Sequence, residues 1–142
     1  MMRARVAFSG AIHGATPGDT PEAARDQTEE LLLDDGRLVS GAEVVWLPPF
    51  EVGTIIALGL NYADHAKELA FNSQEEPLVF LKGPGSLLGH RGTTRRPAGV
   101  KFMHYECELA VVIGRPAKNV SRAAAMRHVA GYCIANYFVV CC

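Results

Sequence analysis

The sequence has no excess of charge of either sign. It carries 14 Lys and Arg against 15 Asp and Glu over 142 residues, a net charge of −1. The basic residues are scattered, which argues against a nucleic-acid face and against a polybasic membrane patch. No apolar run approaches the roughly 18 residues of a membrane-spanning helix. Aromatic residues are scarce at 8%, with a single tryptophan, Trp46. The four cysteines, Cys107, Cys133, Cys141 and Cys142, show no CxxC and no Cys/His spacing of a zinc site, and read as reduced, mostly buried thiols. The opening MMRARVAFSGAIHGA has a short apolar stretch broken by Ser9, Gly10 and His13. It reads as a first strand and not as a secretory signal, so the expected location is cytoplasmic.

What is present suits a globular domain. Apolar residues make up 49% and charged residues 20%, enough for a core. The order of elements reads as β-rich with two short helices. Residues 3–9 form a strand, and 16–27 a loop in which Thr20 and Pro21 open a short helix. Asp35-Gly36 marks a hairpin turn within 31–38, and 43–47 is a further strand. Pro48-Pro49 breaks the chain, which places an N-terminal subdomain at 1–49 and a second part at 50–142. The continuous apolar run 54–60 (TIIALGL) predicts a strand buried on both faces. NYADHAKELAF then predicts a helix opened by Asn61 or Tyr62. Residues 77–82 are a strand, 83–99 irregular, and 106–113 a central strand. Ser121 is the expected cap of an Ala-rich helix to residue 129 that Gly131 ends, and 132–140 is the last strand. This order argues for mixed sheet structure and not for a doubly wound parallel one.

Two patterns carry chemistry. In MHYECELAVVIG, Glu106 and Glu108 fall on one face of a strand, with Cα atoms about 6.6 Å apart from the rise per residue. Like charges on a buried face repel and cost desolvation, and a hard divalent cation relieves both. A solvent-exposed strand end with two hydrated acids satisfies the same spacing. In the predicted helix, His65 and Glu68 stand at i and i+3 and share a face. A carboxylate beside an imidazole orients it and raises its basicity, which suits proton transfer. An ordinary polar helix surface fits that spacing as well. His104 and Tyr105 flank the acids and read as packing or supporting groups. In GHRGTTRRP, Arg91 has the planar fork that suits a carboxylate.

GLNYADHAKE, PLVFLKGPGSLLGH, MHYECELAVVIGRPAKNV and HVAGYCIAN, in this order and at these separations, resemble the fumarylacetoacetate hydrolase family, in particular its isomerase/decarboxylase branch. The resemblance covers about residues 45–136. It implies a mixed β-sandwich roll in a β-rich α+β class, incomplete at the C-terminus of this chain, with 50–142 the first part of the catalytic domain. It implies one Mg²⁺ or Mn²⁺ held by three carboxylates, with Glu106 and Glu108 matching the first two. His65 and Glu68 match a pair that activates water or moves a proton, and Lys82 a lysine lining the substrate pocket. The implied substrates are 2-oxo dicarboxylates or tricarboxylates of aromatic catabolism, 5-carboxymethyl-2-oxo-hex-3-ene-1,7-dioate and 2-hydroxyhepta-2,4-diene-1,7-dioate. Homodimers or larger assemblies are also implied.

The sequence departs from the family at one ligand. The third is an aspartate directly after the Asn of AGY-x-x-AN, and Tyr137 stands there, with no acid after Glu108. A phenol is ordinarily neutral and a poor ligand. The alternatives are therefore a catalytically inactive fragment of the family, or a related acylpyruvate or fumarylpyruvate hydrolase or oxaloacetate decarboxylase.

Overall fold

A computed structural model describes residues 3–18, 30–59 and 76–140. The chain divides into two compact units, Met1–Thr94 and Arg95–Cys142. Strand pairings among the described residues are all antiparallel.

The first unit holds a five-stranded sheet of order β4-β3-β2-β1-β5. Its strands are β1 (Ala4–Phe8), β2 (Ala11–Pro17), β3 (Glu30–Leu33), β4 (Leu38–Ser40) and β5 (Val45–Trp46). Alternation places Val6, Ala15, Leu31, Leu33 and Val39 on one face, where they form the buried cluster with Val44. Ala4, Phe8 and Trp46 pack against it. Leu31 and Val6 are fully buried, and each such side chain stabilises the fold by about 1.5–3 kcal/mol.

Strand β2 was not expected as a separate element. Ser9 and Gly10, at φ 49° and 80°, turn the chain, and Ala11 returns opposite Phe8 in register with β1. Residues 16 and 17, the start of the loop expected over 16–27, therefore lie in a strand. The Asp35-Gly36 turn is found as expected, with Gly36 at φ 87° and Leu31 opposite Val39 across it.

That turn is clamped to β2. His13 is a buried polar residue directly opposite Val6 in the ladder. Its Nδ1 lies 3.1 Å from Asp34 Oδ1, and Arg37 Nη2 is 3.2 Å from its Nε2. A guanidinium only donates, so Nε2 accepts and the ring proton sits on Nδ1, donating to Asp34. Arg37 also donates to Asp35 Oδ2 from Nε at 2.9 Å and Nη2 at 2.6 Å. These bonds hold the Asp35 carboxyl down at about 2, well below its ordinary 3.8. The Gly14 amide, followed by the His13 ring, lowers Asp34 as well.

Strands β6 (Ile55–Gly59) and β7 (Leu78–Lys82) form a second, two-stranded sheet in the first unit. Ile56 is 64% exposed and Leu58 also exposed. The expectation of burial on both faces is therefore corrected: the apolar run is real, but only β7 pairs with it among the described strands. A 3₁₀ turn, Pro84–Ser86, interrupts the irregular stretch that follows.

The second unit is a long hairpin of β8 (His104–Ile113) and β9 (Val129–Val139). The helix expected from 121 to 129 is one turn, α1 (Arg122–Ala125), followed by a 3₁₀ turn, Met126–His128. Ser121 makes no side-chain capping bond. Helix propensity is weak against pairing, because Val129 is already opposite Ile113 in the ladder. Gly131 is thus a strand residue and not a helix stop. The register shifts between Val112 and Ile113, a bulge that leaves Ala130 without a partner position.

Candidate active site

Both faces of the β8–β9 hairpin follow from alternation. His104, Glu106, Glu108, Ala110 and Val112 occupy the half-buried face, and Tyr105, Cys107, Leu109, Val111 and Ile113 the exposed one. Glu106 and Glu108 therefore share a face, as the spacing predicted. Across the hairpin, Tyr137 is opposite Glu106, and Ala135 is opposite Glu108. Residues directly opposite in an antiparallel pair lie on the same face. Position 137 is thus a third place on the carboxylate face, and the side chain there is a phenol. The small Ala135 leaves Glu108 with less bulk across from it than Glu106 has.

The flanking aromatics separate. His104 shares the acids' face and meets the Phe102 ring edge-on at 4.7 Å. Tyr105 points the other way and is 77% exposed, so it is not a support for the acids. Cys107 is exposed and not buried. The strand is also not the interior strand expected, since β9 is its only partner among the described residues and Leu109 is 61% exposed.

The remaining expected site residues lie in the first unit or outside the described residues. His65 and Glu68 fall in 60–75, outside them. Lys82 ends β7 opposite Ile55, half-buried, just before the 3₁₀ turn. Arg91 follows in the irregular stretch at φ 60°, with its guanidinium carbon 5.4 Å from the centre of the Trp46 ring. Trp46 carried no signal in the sequence beyond being the single tryptophan. Its link to Arg91 spans 45 positions of chain, beyond the reach of any local pattern.

Two carboxylates on one face can attract a divalent cation, but a hard cation needs more oxygen than they supply. Among the described residues, no group of three or more His, Cys, Asp or Glu is placed to hold a metal ion. The donor set of this face is incomplete for the three-carboxylate centre that the resemblance implies, and Tyr137 is where it falls short.

Comparison with known proteins fixes the class. Residues 54–140 match the fumarylacetoacetate (FAA) hydrolase C-terminal family, and the chain belongs to that family. It has the β-rich α+β fold of the fumarylacetoacetate hydrolase type. It is 56% identical over 92 residues to the homoprotocatechuate catabolism bifunctional isomerase/decarboxylase of Escherichia coli, a match covering 65% of this chain and 22% of that protein. Among solved structures it is similar to 5-carboxymethyl-2-hydroxymuconate delta-isomerase from Mycobacterium smegmatis, with a TM-score of 0.74 and 33% identity. It is also similar to 2-hydroxyhepta-2,4-diene-1,7-dioate isomerase from Mycobacterium marinum, with a TM-score of 0.76 and 27% identity. Both superpositions cover 99% of this chain and 55% of the other. The chain thus spans about half the length of these structures, and its 92 matched residues about a fifth of the E. coli protein. No described helix is long and apolar enough to cross a membrane.

Proposed function

We propose that this chain carries the first part of an isomerase/decarboxylase that acts on 2-oxo dicarboxylates or tricarboxylates of aromatic catabolism. The named substrates are 5-carboxymethyl-2-oxo-hex-3-ene-1,7-dioate and 2-hydroxyhepta-2,4-diene-1,7-dioate. The observation that carries the reading is the pair Glu106 and Glu108 on one half-buried strand face within the family-matched stretch. The names of the E. coli and mycobacterial relatives support the reaction class.

In this reading residues 50–142 belong to the catalytic domain and 1–49 to an N-terminal subdomain. Glu106 and Glu108 are two ligands of a Mg²⁺ or Mn²⁺ ion, which supplies Lewis-acid stabilisation of enolate charge when bound. His65, oriented by Glu68, moves the proton between carbons of the substrate. Lys82 pairs with a substrate carboxylate or with charge developing on oxygen. Arg91 holds a second carboxylate through its fork. The working enzyme is a cytoplasmic homodimer or larger assembly. The free Cys107 and Cys133 are consistent with a reducing compartment.

A second reading is favoured by one observation, the phenol of Tyr137 opposite Glu106. By that reading the polypeptide has the family's frame without its catalysis. Titration of the chain with Mn²⁺ by calorimetry separates the two. Site-specific binding at micromolar concentration, lost in Glu106→Ala and Glu108→Ala, supports the enzyme. Absence of binding by a folded chain, with binding gained in Tyr137→Asp, supports the inactive form.

A further inference from the structure

A hairpin with two unlike faces ordinarily turns its charges to water and its apolar side chains inward. The β8–β9 hairpin does the reverse. Its acids, Glu106 and Glu108, and its histidine, His104, lie on the half-buried face. The exposed face carries no charged side chain. It is built from facing pairs: Tyr105 with Phe138, Leu109 with Ile134, and Val111 with Tyr132. All six are exposed. One more polar row, Cys107 with Asn136, lies between the first two pairs.

The size of this face points to what covers it. A fully exposed aromatic side chain offers about 200 Å² and an aliphatic one about 100 Å². At the exposures of the six and of Ile113, the patch presents about 600 Å², the upper end of what a monomer leaves open. Matched by an equal surface it buries about 1,200 Å², the lower bound of a stable specific interface. The face is neutral, so it offers a charged partner nothing to read, and it meets its own image without repulsion. A surface that fits itself closes as a pair about a two-fold axis. With that axis running across the strands through the Leu109–Ile134 row, the Tyr105–Phe138 end of one copy lies over the Ile113 end of the other. There the exposed Ala130 leaves room for an aromatic ring.

We propose that the exposed face of the β8–β9 hairpin docks on the same face of a second copy of this chain, about a two-fold axis through the Leu109–Ile134 row. Two hairpins then form a sandwich with its sheets about 10 Å apart. Glu106 and Glu108 of each copy stay on the outer sides of that sandwich. The inference deepens the homodimer read above and rests on that reading of the assembly. It does not depend on a metal or on catalysis.

Sedimentation equilibrium of the intact chain, without divalent metal, reads the association. A monomer–dimer equilibrium is expected, closed at two copies. Leu109→Lys and Ile134→Lys each bury an unpaired charge in the dimer and are expected to weaken it by about tenfold or more. Ile12→Lys, at an equally apolar and exposed position of the N-terminal sheet, is expected to leave it unchanged. The dilute monomer keeps the hairpin face open, so its melting temperature should move little in all three. A mixture of Leu109→Lys and Leu109→Glu is expected to pair more tightly than either variant alone, because the axis brings the two positions together. Alkylation of the thiols, mapped by peptide, gives a second readout. Labelling of Cys107, an exposed thiol on the docking face, should slow as the dimer fills, while that of Cys133 on the opposite face should not. A chain that stays monomeric overturns the proposal, as does association that runs on past two copies. So does a dimer that survives Leu109→Lys and Ile134→Lys, a mixture without rescue, or a Cys107 rate independent of concentration. A dimer that survives both substitutions leaves the homodimer reading standing on another surface. Titration with Mn²⁺ tests the metal reading separately, and neither result decides the other.

Discussion

The N-terminal sheet and the β8–β9 hairpin are built from the same alternation and put it to different use. In the sheet, one face of β1 to β4 closes over Val6, Ala15, Leu31, Leu33 and Val39. In the hairpin, both faces are at most half-buried, and the wholly exposed face is the apolar one, with Tyr105, Leu109, Ile134 and Phe138 in facing pairs. The half-buried face carries Glu106 and Glu108. In the sheet, alternation produces stability. In the hairpin it sorts chemistry onto one side, and the other side is left exposed among the described residues.

The comparison is broken most directly by removing the same kind of side chain from each region. Leu31→Ala is expected to cost about 2–5 kcal/mol, read as a lowered urea midpoint. Ile134→Ala, at a residue 80% exposed, is expected to stay within about 0.5 kcal/mol. Equal losses would mean that the hairpin's apolar face is covered in solution. Gly89→Ala comes next. The new Cβ meets backbone at Trp46, so the loop must move, with an expected cost of about 1–3 kcal/mol and a shifted Trp46 emission spectrum. An unchanged spectrum would show that the loop does not rest on the indole.

Tyr137→Asp sharpens the comparison from the hairpin side. It adds a carboxylate opposite Glu106 and is expected to raise Mn²⁺ affinity by at least tenfold, measured by calorimetry. The same substitution is expected to lower thermal stability slightly without metal, since a third like charge joins the face. The smallest effect is at the β3–β4 turn. Arg37 holds the Asp35 carboxyl at about 2 from an ordinary 3.8. A depressed folded value means the contribution is present above the unfolded pKa and lost as pH falls. The clamp is therefore complete above about pH 4 and released as pH approaches 2. Asp35→Asn should flatten the pH dependence of the melting temperature in that window and leave it unchanged at pH 7, apart from a constant offset.

Local chemistry was legible in the sequence where it was dictated within a few residues. The Asp35-Gly36 turn needs a left-handed residue, and glycine announced it. The shared face of Glu106 and Glu108 follows from the pleat alone. Strand β2 was missed although Ser9-Gly10, at φ 49° and 80°, marks its turn, because the pair was read as a break in one apolar stretch and not as the link between two strands. The helix at 121–129 was overread because Ala-rich propensity gave no sign that Val129 was bound to Ile113. Apolar content at 54–60 was taken for burial, but burial depends on what else packs there. The clamp of His13 by Asp34 and Arg37, like the stack of Arg91 on Trp46, joins residues too distant in sequence for any periodicity to reveal.

The bulge between Val112 and Ile113 has a consequence for how this family can change. A strand that slips by one residue turns every side chain to the opposite face. Here the irregularity sits at the connection end of the hairpin, beyond nine uninterrupted pairings from His104–Val139 to Val112–Gly131. An insertion or deletion in residues 114–128 meets the bulge first and is accommodated there, so the acids keep their side. The length of the connection and the identity of the carboxylate face are then separate heritable traits.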